Sequence, residues 1–463
     1  MIKRILPIAL ITALLAGCAT LSSDSDVAEA TAASLPALPD SWAVAGAVPG
    51  EVQVGWIAAI GDPVLVELVL EAQANNPDIR AAAANVEAAR AITRQARAAL
   101  FPQINGVFNV DRTDTPSPLA VDDPVFTLSG QAQWEADLWG RVRAGRNAAY
   151  ASAQAVEADF RFAQYALAQG VASAYFTSIE AQEQVGVARR TVDALAEIDR
   201  IVRVRYREGF ASRQDTAIAG SDLETARDNL ATAQGAARTA RRALEVLLGR
   251  YPADSIRLRQ AMPETPPPPP AGLPSQLLER RPDVIAAERQ VAAAFASLDQ
   301  AKAAQLPLVT LTASGGGTST DLTEILDGPN LIWSLIGNVL QPIFDGGLRG
   351  AQEDEADANR RAATALYAST ALAALRDVEN NLDQVEVLAE RELILENAAE
   401  QSGTALALTQ LQYAEGEVDL IDVLNIQQRL FAAERNLVAI RRIRIEQWIS
   451  LNLALGGSWD EPR

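Results

Sequence analysis

The chain has 463 residues, with 59 acidic against 40 basic side chains, no histidine, one cysteine and 5% aromatic residues. Without histidine there is no Ser-His-Asp or Cys-His catalysis and no imidazole zinc site, and a single cysteine excludes disulfide frameworks and thiolate clusters. A net charge of −19 opposes nucleic-acid binding, which needs a basic surface to displace counterions from phosphate, so the composition points to a binding, structural or conducting protein without a cofactor, and leaves only carboxylate-based catalysis open.

Lys3 and Arg4 precede an apolar run from Ile5 to Leu15. That run is too short to cross a bilayer, which takes about 20 apolar residues, and it has the pattern of a secretory signal. Leu15-Ala16-Gly17-Cys18 resembles the bacterial lipobox, in which cleavage before the cysteine exposes it for acylation. Losing residues 1–17 removes Lys3 and Arg4 and makes the mature chain more acidic still. Residues 19–61 are rich in Ala, Ser, Pro and Gly and read as an extended tether with little core of its own.

Asp62-Pro63 and Asn76-Pro77 each place a capping side chain before a proline, predicting helices over roughly 62–75 and 77–100. After Phe101-Pro102 the apolar period drops to two: Ile104, Gly106, Phe108 and Val110 alternate with Gln103, Asn105, Asn109 and Asp111, broken only at Val107. Phe126, Leu128, Gly130, Ala132 and Trp134 then alternate with Thr127, Ser129, Gln131 and Gln133. These runs predict a hairpin with one greasy and one polar face. From about Arg141 to Arg207 there is no proline, predicting one helix of about 65 residues, roughly 100 Å long. It is followed by a return helix of about 40 residues near 212–248, which with the upper helix of about 24 matches its length. Ala148, Ala151, Ala155 and Ala158 supply small residues for close antiparallel packing.

The prolines between Met262 and Pro274 mark a linker, and beyond it the pattern repeats. Asn76-Pro77-Asp78-Ile79 returns as Arg281-Pro282-Asp283-Val284, Tyr206-Arg207-Glu208-Gly209 with Asp215 returns as Tyr413-Ala414-Glu415-Gly416 with Asp422, and Gly249 returns as Gly456. The second hairpin sets Val309, Leu311, Ala313 and Gly315 against Thr310, Thr312 and Ser314, then Leu331, Trp333, Leu335, Gly337 and Val339 against Ser334 and Asn338. Ile332 and Ile336 fall on the polar side and weaken the last strand. A long helix over 349–415 and a return helix near 418–455 complete the repeat. The chain thus divides into a signal peptide (1–17), a lipidated tether (18–61), a first repeat (62–261, hairpin 102–134, helix pair 141–250), a linker (262–274), a second repeat (275–457, hairpin 307–342, helix pair 349–455) and a tail (458–463).

Strands of about ten residues have the length that crosses a bilayer at a tilt. A soluble sheet with one buried face remains the alternative. Four strands cannot enclose a lumen, since the smallest barrels need about eight, so several chains must share one barrel.

With these features the chain resembles the TolC-like outer-membrane efflux proteins, in particular lipoprotein members paired with resistance-nodulation-division pumps. The resemblance runs from Trp56 to Gly457 and is most specific in the repeat register, in Leu273-Pro274-Ser275 to Arg280-Arg281-Pro282-Asp283, and in Gln341-Pro342-Ile343-Phe344-Asp345-Gly346-Gly347. It implies a mainly α fold with a membrane β-barrel: a homotrimer whose copies each give four strands to a 12-stranded barrel in the outer-membrane lipids and continue as a periplasmic α-helical duct. It implies no enzyme activity, and as partners a periplasmic adaptor and an inner-membrane pump. Asp215, Asp422, Tyr413 and Asn425 would lie at the periplasmic gate, with Asn425 where a second aspartate is often found and Val418 where some members carry a basic residue. Gly209, Phe210, Gly416 and Glu417 would form the tips that meet the adaptor, Phe108, Phe126, Leu128, Leu311 and Trp333 would face lipid, and Cys18 would carry the lipid anchor. Asp215 has a second reading as a helix-capping acid. The competing functions are a lipid-anchored periplasmic adaptor, a coiled-coil structural lipoprotein and a carboxylate glycosidase. The adaptor would need lipoyl-like segments, the lipoprotein leaves the hairpins unexplained, and the glycosidase would need paired acids in an aromatic cleft.

Overall fold

The computed structural model describes residues 21–44, 47–52, 54–112 and 123–459. Cys18, the signal peptide and most of the first hairpin's connection lie outside the described residues. In chain order the elements are α1 (Asp24–Ala33), α2 (Trp56–Ala59), α3 (Pro63–Asn75), α4 (Pro77–Ala98), β1 (Gln103–Asp111), β2 (Val125–Glu135), α5 (Arg141–Arg207), α6 (Arg213–Leu247), α7 (Pro274–Arg280), α8 (Pro282–Ala303), β3 (Leu308–Ser319), β4 (Leu331–Leu340), α9 (Leu348–Glu415) and α10 (Leu420–Ala454). No helix among the described residues is long and apolar enough to cross a membrane.

The chain forms two compact units, and each draws segments from both sequence repeats. One holds the described residues up to Pro36 with Ala84–Ala158 and Ile285–Thr370, including the sheet. Of the small residues expected to pack, Ala151, Ala155 and Ala158 are buried on α5, and Val291, Leu298 and Tyr367 are buried in the same unit. The other unit holds Ala37–Ala83, Asp159–Val284 and the chain from Ala371. There Trp56, Leu65, Val69, Tyr175, Phe176, Leu244, Ile445 and Trp448 share one core, with Trp56 and Trp448 edge to face at 6.4 Å.

The predicted caps organise this second unit. Asp62 accepts the Val64 amide at 3.0 Å on one carboxylate oxygen and the Tyr175 hydroxyl at 2.9 Å on the other, tying the start of α3 to the long helix α5. Asn76 caps α4 by accepting the Asp78 amide at 2.8 Å and donates its side-chain amide to the Leu247 carbonyl at 2.9 Å. That approach explains Gly249, whose φ is +73° and where a Cβ would sit 2.7 Å from the Asn75 carbonyl oxygen. Gly456 repeats the arrangement against the Arg280–Arg281 backbone.

Three expectations are corrected. The return helices α6 and α10 have 35 residues each, and with the 22-residue helices α4 and α8 they fall short of the 67 and 68 residues of α5 and α9. The first strand of the second hairpin runs beyond Gly315, the last position of its expected alternation, because β3 continues through Gly316 and Gly317 to Ser319. A Cβ at Gly316 would lie 2.1 Å from the Leu128 carbonyl oxygen, so glycine lets the strand continue there. The tether is docked: α1 lies within it, Ser22 donates its hydroxyl to Asp299 at 2.9 Å, and Trp42 is buried with its indole N–H on the Ala271 and Gly272 carbonyls.

Glu245 anchors the segment that follows α6. Fully buried, it accepts the Asp254 and Ser255 amides at 2.7 Å each and the Ser255 hydroxyl at 3.0 Å. Burial pushes its carboxyl up, and these hydrogen bonds more than offset that, holding the pKa below its ordinary value. A lowered carboxyl pKa contributes stability that is present above the unfolded pKa and lost as pH falls through the folded one. Glu245→Gln is therefore expected to cost about 1–3 kcal/mol at neutral pH. Its melting temperature should fall less than that of the unsubstituted protein when thermal unfolding is repeated in acid, because the substituted side chain has no proton to gain.

Candidate functional site: the two-faced sheet and the paired helical tips

The sheet is antiparallel in the order β1-β2-β3-β4. Its register keeps like with like: Ile104 pairs with Ala132 and that with Ala313 and Leu335, while Phe108 pairs with Leu128, Gly317 and Leu331 in turn. The other face runs Asn109, Thr127 and Thr318, with the two threonine hydroxyls 3.3 Å apart, and Ser314 bonds Ser334 at 2.8 Å. Directly opposed residues of antiparallel strands share a face, so one apolar surface and one polar surface extend over all four strands. Phe108, Phe126, Leu128, Leu311 and Trp333 all fall on the apolar face, with Trp333 80% exposed. Ile332 and Ile336 fall on the polar face opposite Gly316 and Thr312, as the broken alternation predicts. β1 and β4 are the two edges.

At the tips, Gly209 and Gly416 have φ of 83° and 84°. Each lets the helix close on itself: the Phe210 amide reaches the Arg205 carbonyl at 2.8 Å and the Glu417 amide the Gln412 carbonyl at 2.9 Å. Phe210 is 76% exposed, a large apolar side chain facing solvent. Beyond the turns, Asp215 receives the Ser212 amide at 2.7 Å and returns its own amide to the Ser212 hydroxyl at 3.1 Å. Asp422 receives the Asp419 amide at 3.3 Å. Both aspartates therefore cap helices, the second reading foreseen for Asp215.

The structure brings together Tyr413, Asp215 and a residue the sequence did not single out. Arg205 donates to the Tyr413 carbonyl at 2.6 Å and stacks its guanidinium over the Tyr413 ring at 4.6 Å, joining the end of α5 to the end of α9. Burial raises the Tyr413 phenol above its ordinary pKa, Arg205 opposes that, and Asp215 adds to it. Asp422 and Asn425 are exposed on the first turns of α10, outside this contact. The only sequence signal for Arg205 was its place just before the repeated Tyr206-Arg207-Glu208-Gly209. Among the described residues no cluster of carboxylate or thiol side chains could hold a metal ion.

A four-stranded sheet with one apolar and one polar face, in a chain with helices of this length, has the pattern of a membrane-channel protein. The sequence model of the outer membrane efflux protein family matches residues 68–250 and 273–457, and the chain belongs to that family. It is 32% identical over 429 residues, 88% of each chain, to the pyoverdine export outer membrane protein OpmQ of Pseudomonas aeruginosa. It is also 32% identical over 419 residues, 86% of each chain, to the solvent efflux pump outer membrane protein SrpC of Pseudomonas putida. Among solved structures, the outer-membrane channel OprN superposes with a TM-score of 0.85 at 25% identity, covering 96% of this chain and 100% of its own. The open state of the Neisseria gonorrhoeae MtrE channel superposes with a TM-score of 0.83 at 27% identity, covering 92% and 97%. The fold is TolC-like, and the protein is an outer-membrane efflux protein.

Proposed function

We propose that three copies close their sheets edge to edge, β4 of one on β1 of the next, into a 12-stranded barrel that serves as the exit duct of a tripartite pump. The observation that carries this is the register: one apolar face continuous over four strands, with unpaired edges at both ends, suits a closed barrel in lipid and leaves a polar lumen. The duct performs no chemistry. An inner-membrane pump delivers cargo through a periplasmic adaptor that seats on the tips around Gly209, Phe210, Gly416 and Glu417. OpmQ is named for pyoverdine and SrpC for solvents, and names so unlike on one family support a reading in which the pump contributes to the choice of cargo. Cys18, once acylated, adds a lipid anchor, and Asp215, Asp422, Tyr413 and Asn425 line the periplasmic aperture.

The chain's lone cysteine allows a direct test. Leu326, 62% exposed in the β3–β4 connection, is replaced by cysteine, and intact cells are treated with a membrane-impermeant maleimide. Labelling from outside, together with ion conductance by the purified protein in planar bilayers, is the expected outcome. A cysteine reached only after the outer membrane is breached would refute the duct and favour a periplasmic adaptor.

A further inference from the structure

A cavity of about 480 Å³ opens where the polar face of the sheet meets α4, α5 and α8. Gln103 and Gln133, paired on that face, line it with Gln300 of α8, Arg146 of α5 and the exposed ring of Phe101. Its charges do not balance. Arg141 is held by Glu135 through two hydrogen bonds, at 2.9 and 2.5 Å, so that pair is neutral. The first amides of α5 are occupied as well, since Asp137 accepts from Val142 at 3.0 Å and from Arg143 at 2.9 Å. Arg146 is different: it is half-buried, its Nε and Nη2 both donate to the side-chain oxygen of the neutral Asn147 amide, the Nε at 3.1 Å, and it enters no salt bridge among the described residues.

A guanidinium partly withdrawn from water and matched only by an amide gains most from an anion, which its Nη1–Nη2 edge can still meet with two parallel N–H groups. Gly145 keeps the space beside it, because a Cβ there would come within 3.0 Å of the Gln300 side-chain nitrogen. That nitrogen is a second donor. Ala96, Ala99 and Phe101 add apolar lining, and the volume lies in the range of small-molecule sites. One uncompensated positive charge suits one negative charge, and Glu135 repels a second.

We propose that this cavity binds a small amphipathic monocarboxylate, its carboxylate on Arg146 and Gln300 and its apolar body on Phe101. The proposal rests on the polar face being the lumen, and it makes the cavity a station for acidic cargo on the way out. The test uses the full-length protein in detergent and the fluorescence of dansylglycine, a monocarboxylate, against dansylamide, which has the same ring system without the acid. Dansylglycine should bind about 10-fold or more tightly than dansylamide, since a charge-assisted pair is replaced by none. Arg146→Gln should remove that preference, Arg146→Lys should keep part of it, and Arg143→Gln, which breaks an exposed pair with Asp137, should leave it intact. Equal binding of acid and amide, or a preference that survives Arg146→Gln in protein that still conducts, would overturn the proposal while leaving the duct standing. Absence of conductance in the unsubstituted protein would overturn the duct, and with it the cavity's place in a lumen.

Discussion

Leu128→Arg should deprive the outer membrane of assembled protein, whereas Thr127→Arg should leave assembly close to normal. The two positions are adjacent on β2 and point to opposite faces: Leu128 pairs with Phe108 and Gly317, Thr127 with Asn109 and Thr318. An arginine facing hydrocarbon near the midplane costs about 2–4 kcal/mol, falling towards the interfaces, and every copy in the barrel incurs it. On the polar face the same side chain meets hydroxyls and amides, and in the proposed trimer the three added positive charges repel one another only through solvent. The measurement is the amount of heat-modifiable oligomer in outer-membrane fractions. Leu311→Arg and Thr310→Arg form an independent pair on β3, where Leu311 pairs with Trp134 and Gly337 and Thr310 with Glu135 and Asn338. Equal tolerance within both pairs would show that neither face meets lipid.

These positions were legible because a strand's faces are encoded at a period of two and the chain supplies the alternation locally. The alternation rules out a one-residue slip, which would turn every side chain to the other face, but a two-residue slip keeps the faces, so the pairing of Leu128, Gly130, Ala132 and Trp134 with Gly317, Gly315, Ala313 and Leu311 is known only from the structure. The helices were legible for a comparable reason, since Asp62-Pro63 and Asn76-Pro77 mark starts and the absence of proline from Arg141 to Arg207 lets one helix run on. What the chain did not reveal are contacts between residues far apart in sequence, which have no period. Tyr175 gives no sign that its hydroxyl will find Asp62, nor Glu245 that it will gather the amides of Asp254 and Ser255. The tether misled because its composition is that of a linker. Its order comes from surfaces elsewhere, Asp299 for Ser22 and the Ala271–Gly272 carbonyls for Trp42, which composition cannot report.

The tips combine both kinds of information, and they give the second large effect. Asp215 and Asp422 were visible from the repeat, but the structure assigns them to helix caps and puts the tie between the two hairpins on Arg205 and Tyr413. That separates holding from filtering. A charged hydrogen bond to a carbonyl contributes about 1.5–3 kcal/mol and a cation over an aromatic face about 0.5–1 more at a half-exposed site. Arg205→Gln, which removes both, should raise the population of loosened tips about 10-fold or more and appear in planar bilayers as larger or more frequent openings. Asp215→Asn with Asp422→Asn acts otherwise. Asparagine can still accept the capping amides, so the helices should persist, while the ring of three that the proposed trimer would form loses the carboxylates that attract cations. The expected result is weaker cation selectivity, read as a shift in reversal potential under a salt gradient, with opening size little changed. If the double aspartate variant alters neither selectivity nor conductance in well-assembled protein, the aspartates are caps and nothing more. If Arg205→Gln leaves openings unchanged, the contact over Tyr413 fastens two helices within one copy without bearing on the aperture.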